Sequence, residues 1–234
     1  MRRRGNSTGF TLVEVLVVTG IIGILAGLLL SALGRARARG DSARCVNNLR
    51  QWGLALEMYM DDYNDYIPRR GQGVQPLALI NRPDDWFNCL PKYFGAQSYS
   101  NLVAAGKMPR AGDVSSVFID PGAKNPGGAY FLPYGMNMYL SPWIRPAPHN
   151  LREIPNPGQL VFMADAPGQY ASTVPSQLGY SVIARHLGCA NVAFVDGRVQ
   201  AFSGGYIGCG AGEPQRPDIR WPTLTDGINQ APVP

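Results

Sequence analysis

A histidine and two aspartates in the second half of the chain are the side chains best suited to chemistry. Asp165 ends an apolar strand pattern, and nine residues separate His186 from the pair Asp196-Gly197. An imidazole with two carboxylates could hold a metal ion or act as a general base. The same residues have structural explanations, because Asp-Gly suits a type I′ hairpin turn and His186 could hydrogen-bond a turn across the hairpin. Both interpretations stay open on the sequence alone.

The four cysteines offer a second kind of chemistry. An even number is typical of disulfides formed in an oxidising compartment, and three connectivities are available. We predict a Cys189–Cys209 bridge because both residues lie in the same Gly-rich region, which leaves Cys45–Cys89 to tie the N-terminal helix to the rest. The Cys-x2-Cys spacing of zinc sites is missing, and no nucleophile motif surrounds Cys189 although His186 is near it in sequence. We therefore predict that the chain has no catalytic residues and is not an enzyme.

The distribution of charge argues against a nucleic-acid partner. The 234 residues include 21 basic and 16 acidic ones, and three of the basic ones are Arg2, Arg3 and Arg4. Lys and Arg do not cluster with interleaved aromatic residues, as they do in nucleic-acid binders. The composition, 45% hydrophobic and 16% charged, excludes a disordered chain. With 28 Gly and 20 Pro, it predicts a loop-rich globular part.

An apolar segment over residues 10–33 carries a single charge, Glu14. As a helix it would be roughly 36 Å long, enough to cross the ~30 Å hydrocarbon core of a bilayer and too long for a secretory signal peptide. Arginines lie on both sides of it, at 2–4 and again from 35 to 44, so the positive-inside rule does not give its orientation. We predict one transmembrane helix.

Glu14 is costly in such a helix. A carboxylate inside a spanning segment costs about 2.5–3.5 kcal/mol, so a cationic partner is expected. Cleavage between Gly9 and Phe10 would create a new α-amine, positive with a pKa near 8. On a neighbouring copy of the chain, this amine could neutralise Glu14, which predicts self-assembly.

The segment Thr8-Gly9-Phe10-Thr11-Leu12-Val13-Glu14 resembles the processing site of type IV prepilins and type II secretion pseudopilins. The resemblance implies that a prepilin peptidase removes residues 1–9 as a cytoplasmic leader and N-methylates Phe10. It implies a single-pass inner-membrane protein with a periplasmic or extracellular head. It also implies assembly with other pilin-like subunits into a pilus or secretion pseudopilus through residues 10–33, with Glu14 paired to Phe10 of an adjacent subunit. An alternative is a monomeric, membrane-tethered binding module that uses this segment only as an anchor.

Beyond the membrane segment, the pattern predicts an α+β head. Apolar residues at helical spacing continue the helix over 34–66 as an amphipathic helix that packs on the head, residues 67–234. A partly helical patch is expected at 86–106. Strands are expected at 116–119, 160–164, 180–184, 191–195 and 198–202, in a small antiparallel sheet. A Pro-rich tail begins at about 210. The acidic run at 61–66 has too few carboxylates for a calcium loop and indicates a solvated helix end.

The head also resembles a large group of prepilin-like proteins with an H-x9-DG signature, here His186 to Gly197. Further landmarks are Cys45-Val46-Asn47-Asn48-Leu49 on the helix and Tyr134-Gly135-Met136-Asn137 in the middle of the head. Relatives often have Cys-Pro where this chain has Asp120-Pro121, which puts the usual partnership of Cys45 in question. Pseudopilins of this kind can hold calcium in the head, but no ligand run here matches, and no cofactor is predicted.

Overall fold

The computed structural model describes residues 12–71, 77–140, 150–154, 156–175, 181–209 and 218–221. It divides into two compact units, the first ending at Gly40 and the second beginning at Asp41. The leader and the cleavage site Gly9/Phe10 lie outside the described residues, as does most of the tail from 210 onward.

The longest element is helix α1, Leu12–Asp62. Residues 12–37 expose their side chains although nearly all are apolar, and a window with mean hydropathy 2.6 makes α1 long and apolar enough to cross a membrane. The helix ends four residues before the predicted boundary at 66. Asn64 and Asp65 adopt positive φ angles of 53° and 67°, which an α-helix does not tolerate. The predicted helix end in the acidic run is thereby confirmed, at Asp62.

In the second unit, α1 buries four of the six residues of the predicted apolar stripe, namely Leu49, Gly53, Leu56 and Met60. The other two, Val46 and Tyr63, are half-buried and exposed, respectively. The helix also buries Cys45, Trp52, Ala55 and Tyr59. Trp52 is the centre of this face. Its ring makes edge contacts with three aromatic rings, those of Trp86, Phe94 and Phe118, and its Nε1 donates to the Val117 carbonyl at 3.1 Å. This face joins α1 to the predicted helical patch, which consists of α2 (Trp86–Cys89), a 3₁₀ turn (Pro91–Phe94) and α3 (Tyr99–Ala104).

A five-stranded sheet forms the rest of the head. Its strands are β1 (Leu132–Asn137), β2 (Val161–Gly168), β3 (Ser172–Thr173), β4 (Cys189–Phe194) and β5 (Val199–Ser203), in the order β3-β1-β2-β4-β5. A short helix, α4 (Gly204–Ile207), follows β5. Strand β3 pairs parallel to β1, and the other neighbours are antiparallel, so the sheet is mixed rather than wholly antiparallel as predicted. The predicted α+β architecture is confirmed.

Two predicted strands are wrong. Segment 116–119 forms turns, because its carbonyl groups bond to helix α1 instead of to a neighbouring strand: Val117 accepts from Trp52, and Ile119 accepts from Asn48 Nδ2 at 3.0 Å. In the predicted strand 180–184, the described residues 181–184 make only isolated contacts, such as the Val174–Ser181 bridge.

The sheet contributes to two apolar clusters, one on each face. Along β4 the side chains alternate as a strand requires, with Ala193 in the cluster that contains α1 and with Val192 and Phe194 in the other. The second cluster also contains Ile219 and Trp221 from the C-terminal region. This part of the predicted tail is therefore packed into the head.

Candidate functional site

Four buried side chains from distant parts of the chain meet at one point in the head. Cys45 comes from α1, Asp120 from the turn that follows segment 116–119, Asp165 from β2 and His186 from the residues just before β4. One potential ligand atom from each lies within 4.8 Å of the others. The predicted pair Asp165 and His186 is thus brought together, and Cys45 and Asp120 are added to it.

Local backbone structure fixes each group. Asp120 Oδ1 accepts from the Gly122 N–H at 2.8 Å, which holds its carboxylate in a turn. Asp165 Oδ2 accepts from the Asn191 N–H at 2.8 Å, across the β2–β4 pair. Cys45 lies on the face of α1 that packs against the head. The cluster is therefore held by the fold itself.

A tight turn positions His186. The backbone groups of His186 and Cys189 bond to each other in both directions, at 3.0 and 2.9 Å. The two residues between them, Leu187 and Gly188, have φ angles of 54° and 81°, the conformation of a type I′ turn. The type I′ turn predicted at Asp196-Gly197 thus occurs instead at Leu187-Gly188.

The polar contacts form a chain through the cluster. His186 Nε2 lies 3.0 Å from Asp120 Oδ2 and 3.7 Å from Asp165 Oδ2. The Cys45 thiol donates to Asp165 Oδ1 at 3.1 Å. Arg185 adds a second cation, with Nη1 at 3.0 Å from Asp120 Oδ2 and Nη2 bonded to the Ala166 carbonyl. The carboxylates of Asp120 and Asp165 thus lie among the His186 imidazole, the Arg185 guanidinium and the Cys45 thiol.

The pKa values follow from these contacts. Burial would raise the pKa of Asp120, but the His186 hydrogen bond and the Arg185 charge lower it below its ordinary value. Burial, helped by the negative charge of Asp120, raises the pKa of Asp165 to about 6. Burial would lower the pKa of His186, but the hydrogen bond to Asp120 and the charge of Asp165 raise it. Burial and the neighbouring Asp165 raise the pKa of the Cys45 thiol well above its ordinary value. At neutral pH, then, the thiol is protonated.

Asp196, the third predicted candidate, does not join the cluster. Its side chain is 41% exposed and lies 3.9 Å from Arg198 Nε, and its Oδ1 accepts from the Arg198 N–H. It occupies the turn of the predicted β4–β5 hairpin, where Gly197 has a φ of 77° and Asp196 keeps a negative φ. A type I turn followed by a left-handed glycine accounts for this geometry. Asp196 therefore has a structural role in the hairpin turn and is not part of the cluster.

The predicted disulfides are not formed in this structure, where all four cysteines are free thiols, and the two pairings stay predictions. Cys45 contacts Asp165 rather than Cys89. The Cys89 sulfur instead faces backbone carbonyl oxygens, those of Asp84 at 3.7 Å and Trp86 at 4.0 Å. Cys189 and Cys209 are both partly buried. The signal that could have placed Cys45 was Asp120-Pro121 itself, because Asp120 stands where a cysteine was expected and it lies beside Cys45.

Of the predicted assembly residues, only Glu14 is described, in the first turn of α1. It lies within the exposed apolar part of that helix. Since Gly9 and Phe10 lie outside the described residues, their roles stay predictions.

Comparisons with known proteins agree on the N-terminal part of the chain. Residues 4–30 match the family model described as the prokaryotic N-terminal methylation motif. The chain is 41% identical over 83 residues to the type II secretion system core protein G of Aeromonas hydrophila, a match covering 36% of this chain and 55% of that protein. It is 41% identical over 78 residues to the type IV wide pilus major component PilA4 of Thermus thermophilus, covering 33% of this chain and 59% of that protein.

A longer match extends into the head. The type II secretion system core protein G of Pseudomonas aeruginosa is 31% identical over 135 residues, which cover 56% of this chain and 86% of that protein. The chain spans about half the length of the first of these relatives. No solved structure matches the chain significantly.

Proposed function

Because this chain belongs to the family of pilin-like proteins that includes the type II secretion system core protein G, we propose that it is assembled through its N-terminal helix into a pilus or a secretion pseudopilus. The observation that carries the proposal is the contrast along α1. An exposed apolar stretch is followed, in the same helix, by a stretch whose apolar face belongs to the core of the head. A filament of packed helices would bury the first stretch.

The proposed processing follows from the matched motif at residues 4–30. A prepilin peptidase would cut between Gly9 and Phe10 and methylate the new N-terminus. The precursor would be a single-pass protein of the inner membrane, with its leader in the cytoplasm and its head outside. Removing the leader lowers the side-chain charge, because three of the 21 basic residues lie in it.

Mass spectrometry of the intact chain from the membrane fraction tests this proposal. We expect a chain that begins at N-methylated Phe10 in cells with an active peptidase, and one that begins at Met1 in cells without it. A Gly9→Ala variant is the matched control, and it should keep its leader in both strains. A Met1 terminus in the peptidase-containing strain would contradict the proposal.

The second candidate is a membrane-tethered monomer whose head binds a ligand. It shares the anchor but requires no contact between copies. A cysteine placed at Val18, in the exposed part of α1, would distinguish the two, since a filament subunit gives a crosslinked ladder of oligomers and a monomer does not. The cysteines of the head would first be replaced one by one to assign any background crosslinking.

Two further statements remain proposals. We assign the head to the H-x9-DG group on the spacing from His186 to Gly197. We also propose that the protein is not an enzyme, in keeping with relatives whose names describe a secretion core protein and a pilus component.

A further inference from the structure

We propose that Cys45, Asp120, Asp165 and His186 form a binding site for one divalent transition-metal ion of the zinc class. One thiolate, one imidazole and two carboxylates are ligands that Zn²⁺ accepts. Calcium takes six to eight ligands, all of them oxygen atoms, so a sulfur and a nitrogen donor do not suit it. The ligand set therefore favours zinc over calcium. The site is also distinct from the acidic run at 61–66, which was considered as a calcium loop from the sequence.

The distances between donors support four-fold coordination. With bond lengths of about 2.0–2.3 Å, the donors around a tetrahedral ion lie roughly 3.3–3.8 Å apart. Here the His186 nitrogen lies 3.0 Å from an Asp120 oxygen and 3.7 Å from an Asp165 oxygen, and the whole set lies within 4.8 Å. Side-chain shifts of about an ångström or less would bring the four atoms around one ion.

Charge balance supports the same assignment. Arg185 is a cation beside the two carboxylates, with a side chain that is 10% exposed and an Nη1 that lies 3.0 Å from Asp120. With metal, a thiolate and two carboxylates face the dication and Arg185, and their formal charges sum to zero. Binding of the ion releases the Cys45 proton, and any proton on the coordinating His186 nitrogen, to solvent. The metal-bound site thus contains no uncompensated buried charge.

A second, independent observation is a buried amide beside the cluster. The Asn191 side chain is fully buried, and neither its oxygen nor its nitrogen has a hydrogen-bond partner. Its own backbone N–H is bonded to Asp165, and its side-chain amide faces the Cys45 thiol. Buried polar groups without partners are rare in folded proteins. A metal-bound thiolate at Cys45 would give the amide nitrogen an acceptor, as polar groups around metal ligands commonly have.

The metal would connect four segments that are far apart in sequence. Residue 45 lies on α1, residue 120 in a turn packed on α1, and residues 165 and 186 in or next to the sheet. Since such an ion binds the folded chain, it stabilises the head by its binding free energy. The site does not depend on cleavage or assembly, so it can stand or fall separately from the proposed function.

Cobalt absorption with the full-length chain in detergent tests the proposal. The protein is stripped with a chelator under reducing conditions and titrated with Co²⁺. We expect one ion per chain, a thiolate-to-cobalt charge-transfer band and the visible absorption of a tetrahedral site, with Zn²⁺ displacing Co²⁺. Wild-type protein that binds no stoichiometric Co²⁺, or binds it without the charge-transfer band, would overturn the proposal.

Variants identify the ligands. Cys45→Ser should remove the charge-transfer band and, like His186→Gln, weaken binding by more than about 100-fold. The matched controls, Cys89→Ser and Asp196→Asn, should leave the titration unchanged, and a band lost in Cys89→Ser but kept in Cys45→Ser would refute the assignment.

If Cys45→Ser does not fold, a variant with an added thiol tests the same set of ligands. Asp120→Cys, kept reduced, should raise the intensity of the charge-transfer band about twofold, because two thiolates then bind the ion. An unchanged band in the folded Asp120→Cys protein would overturn the proposal.

Discussion

The two units of this molecule depart from the usual distribution of polar and apolar groups in opposite directions. In residues 12–37 of α1, leucines, isoleucines and valines stand exposed. In the head, charged groups are buried instead, among them Asp85, Asp120 and Asp165, all with no exposed surface. Soluble domains normally bury apolar residues and leave charges outside. Each departure requires a compensating environment.

This difference between the two units indicates what kind of partner each of them needs. An exposed apolar stripe needs an apolar environment, which a membrane or neighbouring helices supply. A buried carboxylate needs compensating charges or hydrogen bonds, which the head supplies from within for Asp120 through His186 and Arg185. The first unit is thus completed by other molecules, whereas the second is largely completed by its own side chains.

The largest effect is expected from removing the single charge of the apolar segment 10–33. Glu14→Ala should lower incorporation into filaments more than tenfold, because it leaves the amine of Phe10 on a neighbouring subunit without a buried counter-charge, and breaking a buried pair costs about 3–5 kcal/mol. Quantitative blotting of the sheared filament fraction against the membrane fraction measures it. Glu57→Ala, an exposed carboxylate on the second half of α1, is the control and should assemble normally. Normal incorporation of the Glu14 variant would refute the pairing.

In the head, the largest effect is expected from breaking the buried ion pairs. Asp120→Asn, studied without metal at pH 7, should lower the free energy of unfolding by about 3–5 kcal/mol, because it leaves His186 and Arg185 without a buried counter-charge. Urea unfolding in detergent, followed by tryptophan fluorescence, measures the change, since every tryptophan lies beyond residue 51. Asp196→Asn should change stability by less than about 0.5 kcal/mol. Equal effects of the two variants would contradict the difference in burial.

A pair of identical substitutions on one helix compares the two units directly. Leu49 is fully buried, whereas Leu29 is 69% exposed. Leu49→Ala should lower the free energy of unfolding of the head by about 2–5 kcal/mol, through lost burial and the cavity that remains. Leu29→Ala should leave that free energy unchanged, because its side chain contributes nothing to the core of the head. The same urea titration measures both, and a large loss from Leu29→Ala would show that the units are not independent.

A smaller effect, opposite in sign, is expected at Asp85. Burial, aided by the charge of Asp84, raises the Asp85 pKa to about 6, and neither carboxylate oxygen has a hydrogen-bond partner. The folded state therefore binds this proton more tightly than the unfolded one, and stability falls as pH rises from about 4 to 6. Asp85→Asn should remove this loss and stabilise the head by about 2–3 kcal/mol at pH 7, with no gain near pH 4.

Unfolding at a series of pH values checks the Asp85 prediction. Asp84→Asn is the matched control, because it removes only the neighbouring charge and also loses the ion pair with Arg69, so its gain at pH 7 should be well below that of Asp85→Asn. A gain for Asp85→Asn that is the same at pH 4 and pH 7 would rule out ionisation as its cause.

Most of the correct predictions came from the periodic spacing of apolar residues. Helix α1, the strand over 160–164 and the β4–β5 hairpin follow from apolar spacing and from the Asp-Gly turn. Strand β1 was not predicted, since its sequence contains Pro133 and Gly135 and all six residues are buried, so that no polar alternation marks it. Gly135 is required there because a Cβ would come within 3.0 Å of Ala166 and 2.9 Å of Thr173.

Two of the four residues of the candidate site could be predicted from the sequence. Asp165 and His186 were recognisable as chemical groups, whereas Cys45 and Asp120 are brought to them only by tertiary packing over 120 and 66 residues of sequence. Local patterns do not encode such distances. The disulfide prediction came from counting cysteines, whereas the departure at Asp120-Pro121 pointed to the actual neighbour of Cys45.

The segment around Trp221 sets the order in which the head can be completed. The Arg220 carbonyl accepts from Val161 at 2.9 Å, the Arg220 N–H donates to Gln159 at 2.8 Å, and the Trp221 carbonyl accepts from the Asn137 side chain. These bonds, and the side chains of Ile219 and Trp221, close the second cluster over β2 and β4. A growing chain can form α1 and the central hairpins early, but it cannot seal this face until residue 221 has left the ribosome. The sheet is thus covered only after residue 221 has been synthesised, and a chain stopped before residue 219 would expose that apolar face to proteases and chaperones.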